Sequence, residues 1–252
     1  MAWSEVRYEV RDRIAYVTFN RPEKRNALDQ NSFKAILDHL ESVRNDPNVW
    51  IVAITGAGSV FTSGHDINDL KRGGEQIDVE QIYKSMRKTY KPIVAAINGL
   101  ALGAGAGIAL NSDVRLMAKG ARLGWSQVKI GIASVSGPTV LGRLVPPNIA
   151  LELMFTGDLV GADRAYELGL VNRVVDDAAL AEELQTFLGR LLANGPLAMR
   201  AMKDVLLNTV DLPTVEAIDY GQSMLGKIKK TNDAQEGLRA FLEKRPPVWT
   251  GT

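Results

Sequence analysis

One run of small residues constrains this chain more than any other. Residues 98–113 read Asn-Gly-Leu-Ala-Leu-Gly-Ala-Gly-Ala-Gly-Ile-Ala-Leu-Asn-Ser-Asp, and the β-branched apolar stretch Ile93–Ile97 leads into them. A stretch that is apolar on every side belongs inside a protein. It reads as a buried strand, a glycine turn and the start of a buried helix. A helix start leaves backbone N–H groups unpaired and carries the positive end of the helix dipole. Glycine and alanine let a ligand approach that backbone closely. The turn is therefore a candidate site for a negatively charged oxygen, either a phosphate or a developing oxyanion. A dinucleotide fingerprint would need G-x-G-x-x-G and an acidic residue about 20 positions on; here the spacing is G-x-G-x-G and the strand lies in mid-chain. Tight helix packing is the other use such glycines have.

A second segment favours the oxyanion. Phe61-Thr62-Ser63-Gly64-His65-Asp66-Ile67 follows another buried strand, Trp50 to Thr55, and the turn Gly56-Ala57-Gly58. Its Ser63-Gly64-His65 bend can aim an N–H into a cleft. Two such groups from separate strand ends bind one carbonyl oxygen as it becomes an oxyanion.

Composition removes several function classes. The 252 residues suit one large domain or a core with an appendage, long enough to bury about three quarters of the unfolded surface. A formal net charge of +1 points to neither nucleic acid nor an anionic membrane. There is no cysteine, which excludes thiol chemistry and disulfides, and the two histidines, His39 and His65, are too few for a histidine-rich metal site. The start of the chain reads as no signal peptide, and no apolar run approaches a membrane span. A cytoplasmic protein without a metal is the expectation.

Along the chain, residues 13–19 alternate as a strand. Asp29 can cap a helix that places Phe33, Ile36, Leu37, Leu40 and Val43 on one face. Residues 81–90 read as a helix, and the polar stretch 71–78 before it sits where a lid over a cleft could be. Strand 93–97, helix 104–112 and strand 114–117 follow, an alternation that argues for parallel strands with crossover helices. Residues 123–132 form a short strand and loop, and Pro138 can open a helix. Helices then dominate, at 149–155, 162–168, 180–192, 197–207, 214–227 and 234–243. The fold class is α/β with a helical appendage.

Together with Asn20-Arg21-Pro22-Glu23-Lys24-Arg25-Asn26-Ala27-Leu28, the two glycine segments resemble the crotonase superfamily, the enoyl-CoA hydratase and isomerase group. The resemblance runs nearly end to end, through Thr156-Gly157-Asp158, Ala165 to Val171 and the closing residues 236–245. It implies a crotonase-type spiral of ββα turns over residues 1–195 that binds acyl-CoA. It also implies a C-terminal helical region, residues 196–252, that packs trimers, alone or paired as hexamers. The substrates would be coenzyme A thioesters, with coenzyme A part of the substrate and no separate cofactor. The oxyanion donors would be the backbone N–H groups of His65 and Ala104. Lys24 and Arg25 would lie near the coenzyme A phosphates. Ala27, Ser63, Asp66, Ile67, Gly103, Trp125 and Lys244 would complete the substrate path.

The same resemblance exposes a departure. Hydratases of this family use two glutamates as general acid and base. At the first position this chain has Gly107, at the second Gln127, and at a third site, acidic in some members, Val135. Slipping the alignment restores nothing, because no Asp or Glu lies between Leu123 and Glu152. Gln127 and Ser134, the latter near a tyrosine position of decarboxylating members, become the candidate catalytic side chains beside His65 and Ala104. The leading expectation is altered chemistry on a thioester enolate: decarboxylation, hydrolysis or C–C cleavage. The alternatives are a weak or unusual hydratase or isomerase, and a non-catalytic acyl-CoA-binding or complex-partner protein. Glutamates restored at 107 and 127 are expected to raise hydration if the pocket accepts them.

Overall fold

In the computed structural model the described residues are 5–69 and 77–252. Strand β1 (Val6–Arg11) turns back on β2 (Ile14–Phe19) in an antiparallel hairpin. Helix α1 (Gln30–Asn45) starts where Asp29 accepts the Ser32 backbone N–H at 2.9 Å, and it buries Phe33, Ile36, Leu40 and Val43. This is the capped amphipathic helix the sequence predicts.

The spiral then repeats one unit. Strand β3 (Ile51–Gly56), strand β4 (Val60–Thr62) and helix α2 (Val79–Arg87) make one turn. The next turn is β5 (Ile93–Ile97), β6 (Leu100–Leu102) and α3 (Ala104–Asn111). Strands β7 (Val114–Ala118) and β8 (Arg122–Gly124) lead through a 3-10 turn at Ser126–Ile130 and a π-helical turn at Gly137–Leu141 into α4 (Gly142–Leu144) and α5 (Pro147–Thr156). After β9 (Val160–Gly161), α6 (Ala162–Glu167) and β10 (Arg173–Val175), helix α7 (Leu180–Leu192) packs against β3, β5 and β7.

The first strand of each turn joins a six-stranded sheet ordered β1-β2-β3-β5-β7-β10, and the second joins a four-stranded sheet ordered β4-β6-β8-β9. All neighbours pair in parallel except β1 with β2 and β8 with β9. Asn98 ties successive turns together: its Nδ2 donates to the Gly56 and Gly58 carbonyls at 2.9 Å, and its Oδ1 accepts the Gly56 N–H at 3.1 Å. Helices α8 (Pro196–Thr209), α9 (Thr214–Ile228) and α10 (Asn232–Glu243) follow the spiral.

The structure departs from the sequence reading in three places. Leu100–Leu102 is a strand, not part of a turn, because β4 and β8 supply partners on both sides, with Leu102 opposite Gly124. Strand β1 is additional, paired to β2 along its whole length. The helix expected over 81–90 runs instead from Val79 to Arg87, ahead of Pro92. The lid reading of residues 71–78 falls largely on residues 71–76, outside the described ones.

Candidate active site

Two loops from the spiral meet at glycine distance. The Leu28 N–H donates to the Gly64 carbonyl and the Asp66 N–H donates to the Leu28 carbonyl, both at 2.8 Å. In a parallel bridge the residue between two such bonds turns its own N–H away from the partner. That residue is His65, which lines the cleft, and its N–H points away from Leu28. Gly64 holds a left-handed φ of 87°, and its N–H is pinned by Thr62 Oγ1 at 3.0 Å. Gly103, at φ 50°, stands just ahead of α3, so the Ala104 N–H is among the unpaired donors of a helix start. A side chain at Gly64 would place its Cβ 2.6 Å from the Leu102 carbonyl oxygen and 3.4 Å from the Ala104 nitrogen. Only glycine lets the two donor-bearing loops approach this closely.

These loops open on a cleft of about 740 Å³. Lys24, Ala27, Ser63, His65, Asp66 and Ile67 line one side of it; Gly103, Ala104, Gln127 and Ser134 belong to the same wall system. Three expected contacts do not line it. Trp125 is buried behind the wall, where its Nε1 donates to Ser136 Oγ at 3.0 Å. Arg25 serves as the left-handed cap of the 3-10 turn Pro22–Lys24, and Lys244 ends α10 in a left-handed conformation. Tyr90 does not line it either; its hydroxyl accepts a hydrogen bond from Asn208 Nδ2 at 3.1 Å.

The electrostatics favour a neutral imidazole. His65 packs edge-on against Phe33 at 4.5 Å, and burial holds its pKa below the usual histidine value against the pull of Glu80, Asp69 and Asp78. Asp66 is committed elsewhere: its carboxylate pairs with Arg21 at 3.3 Å and accepts the Asn68 N–H at 3.1 Å. Arg21 also meets Asp29 at 2.9 Å and donates to the Ala27 carbonyl at 2.8 Å. One guanidinium thus holds the 20–28 loop to the 63–66 loop.

The opposite wall holds side chains the sequence reading did not single out. Glu80 and Tyr83, three residues apart on α2, face the cleft with Ser136. Tyr83 Oη donates to the Ala104 carbonyl at 3.3 Å, and Ser136 stands beside it. A Cβ on Gly107 would fall 2.1 Å from Tyr83 Oη and 2.8 Å from Ser136 Cβ. The space a side chain at 107 would need is therefore filled, and a glutamate there does not fit beside Tyr83. Gln127 lies over Gly103, and its Oε1 is buried with no hydrogen-bond partner among the described residues. On sequence alone Tyr83 looks like core, since it falls four residues after Val79 on the buried face of α2.

Comparison with known proteins agrees over the whole chain. A family profile described as enoyl-CoA hydratase/isomerase matches residues 9–252. An (E)-benzylidenesuccinyl-CoA hydratase from Thauera aromatica is 35% identical over 254 residues, covering 98% of this chain and 99% of the relative. A crotonyl-CoA hydratase from Syntrophomonas wolfei is 34% identical over 253 residues, covering 97% of each. The crystal structure of an enoyl-CoA hydratase from Mycobacterium tuberculosis H37Rv superposes with a TM-score of 0.92 at 32% identity, covering 99% of this chain and 100% of that one.

Proposed function

The chain belongs to the enoyl-CoA hydratase/isomerase family, and from that premise we propose that it makes and protonates the enolate of an acyl-CoA thioester without carboxylates at residues 107, 127 and 135. The thioester oxygen would sit between the His65 and Ala104 N–H groups, which gain strength as charge builds on it. Lys24, on the cleft wall, would face the coenzyme A phosphates, and Ala27, Ser63 and Ile67 would line the path to them. Coenzyme A enters as part of the substrate, with no separate cofactor. Reactions that pass through an enolate, such as decarboxylation or C–C cleavage, need the oxyanion donors first.

One observation carries this reading: the place of a side chain at 107 is occupied by the Tyr83 hydroxyl. A pair of glutamates at 107 and 127 cannot work here as general acid and base. Each such group contributes about 10²–10⁴-fold. The test is calorimetric titration with butyryl-CoA together with a crotonyl-CoA hydration assay. Binding is expected, with hydration several orders of magnitude slower than is typical of hydratases. Absence of binding at millimolar ligand defeats the acyl-CoA reading, and a hydration rate typical of the family defeats the altered chemistry.

A second reading has its own support. Glu80 places a carboxylate on the cleft wall, and the similar proteins named above are hydratases. Hydration with Glu80 as base would then proceed by a rearranged set of groups.

The assembly we propose is a homotrimer, or a hexamer made of two trimers. Its contacts would use the apolar faces of α9 and α10, where Val215, Leu238 and Phe241 are 70%, 64% and 80% exposed.

A further inference from the structure

We propose, building on the acyl-CoA reading above, that Tyr83 is a catalytic residue that passes a proton to and from the α-carbon of the bound thioester. Its hydroxyl contacts the carbonyl of Ala104, the residue whose N–H is the second oxyanion donor. Tyr83 lines the same cleft as His65 and Ala104, so the acyl part of a thioester held by their N–H groups would share that cleft with its hydroxyl. The hydroxyl also lies 2.1 Å from where a Cβ at residue 107 would stand, so it fills the volume a carboxylate at that position would use.

The neighbouring groups set the direction of the hydrogen bonds. An indole N–H can only donate. Trp125 Nε1 donates to Ser136 Oγ at 3.0 Å, which leaves the Ser136 proton to turn toward Tyr83 beside it. Tyr83 then has its own proton to give, either to the Ala104 carbonyl or into the cleft. Ser134 Oγ, on the cleft wall 3.5 Å from Ser136 Oγ, continues the row of hydroxyls. Burial raises the Tyr83 pKa well above the ordinary phenol value, with the Ser136 hydrogen bond pulling the other way. The group is a neutral donor throughout the neutral range.

In the protonation step the Tyr83 O–H bond breaks and a C–H bond forms at the α-carbon. The enolate electron pair makes that bond, the thioester C=O reforms, and the negative charge passes to the phenolate oxygen. Ser136 then returns a proton that solvent replaces through Ser134. In the reverse step Tyr83 gives its proton through Ser136 and Ser134 to solvent as its oxygen takes an α-proton, and the negative charge is left on the thioester oxygen.

The experiment is exchange of the α-hydrogens of butyryl-CoA in heavy water, followed by mass spectrometry and NMR, with calorimetry of butyryl-CoA binding alongside. The wild-type protein is expected to exchange them above background. Tyr83→Phe keeps the ring in place and is expected to slow exchange at least ~10²-fold while binding changes less than about threefold. Wild-type protein that binds butyryl-CoA without exchanging it overturns the role of Tyr83. So does a Tyr83→Phe variant that exchanges normally. Wild-type protein that does not bind butyryl-CoA overturns the acyl-CoA reading itself, and this proposal with it.

Discussion

Arg21 Nη2 and Asp66 Oδ2 stand 3.3 Å apart, and this pair joins two loops more than forty residues apart in sequence. Arg21 is almost wholly buried and meets Asp29, the cap of α1, as well. Removing one partner of such a cluster leaves carboxylates buried without a counter-charge. Arg21→Met is expected to cost about 3 kcal/mol, read as a lower urea midpoint at unchanged slope. Since Asp66 follows His65 directly, acyl-CoA affinity is expected to fall with it. A variant as stable as wild type would show that the cluster contributes only geometry.

Gly107→Glu was expected from the sequence to help restore hydration, together with Gln127→Glu. The Tyr83 hydroxyl at 2.1 Å from the Cβ position makes Gly107→Glu an overpacking change. A loss of about 1–3 kcal/mol is expected, with no gain in crotonyl-CoA hydration even in the double variant. Adding Tyr83→Ala makes the room, and the triple variant is expected to hydrate crotonyl-CoA at least ~10-fold faster than Tyr83→Ala alone. Spectrophotometric loss of the conjugated thioester reads the result, and a double variant that works without Tyr83→Ala refutes the steric account.

Lys91 supplies a pH test. Its ammonium is buried and donates to the carbonyls of Val43, in the last turn of α1, and Asp46, just past its end. Burial, then the nearby Arg200, lowers its pKa to about 8. In the unfolded chain the group keeps its proton to about pH 10.4. Between these values the unfolded state binds more protons, so stability rises with pH. Lys203, also lowered by burial, adds in the same sense, whereas the raised phenols of Tyr8 and Tyr83 oppose it only above about pH 10. A rise on the order of 1 kcal/mol per pH unit is expected from pH 8 to 10. Denaturant titrations at several pH values should find most of that rise missing in Lys91→Met.

Lys24 is exposed on the cleft wall. Lys24→Glu is expected to weaken butyryl-CoA binding about tenfold, or ~1.4 kcal/mol, with the effect shrinking as salt is raised. Calorimetry at two ionic strengths decides it. An unchanged affinity would move the coenzyme A phosphates elsewhere.

Phe241 is 80% exposed and Leu238 64% exposed on α10. Sedimentation of the wild-type protein at micromolar concentration is expected to give a trimer or hexamer. The double change Leu238→Asp with Phe241→Asp is expected to shift it to monomer. A monomeric wild type would require another role for this apolar face.

The sequence by itself determined whatever depends on neighbours along the chain. The bounds read for β5 and α7 coincide with those observed, Ile93–Ile97 and Leu180–Leu192, because continuous apolar runs and helical periodicity are local signals. The Asp29 cap is local too. The donor-bearing turns at Gly64 and Gly103 were legible because left-handed backbone favours glycine. Tertiary structure decided what depends on distant partners. Leu100–Leu102 becomes a strand only because β4 and β8 flank it, since so short a segment has no periodicity of its own. Trp125 is buried behind the cleft wall, with its indole N–H donating to Ser136. Tyr83 reaches the site from another turn of the spiral, where helix α2 packs on α3. A buried aromatic in an amphipathic helix looks like core until the fold shows what its hydroxyl touches, and here that is the carbonyl of Ala104 and the place a side chain on Gly107 would take.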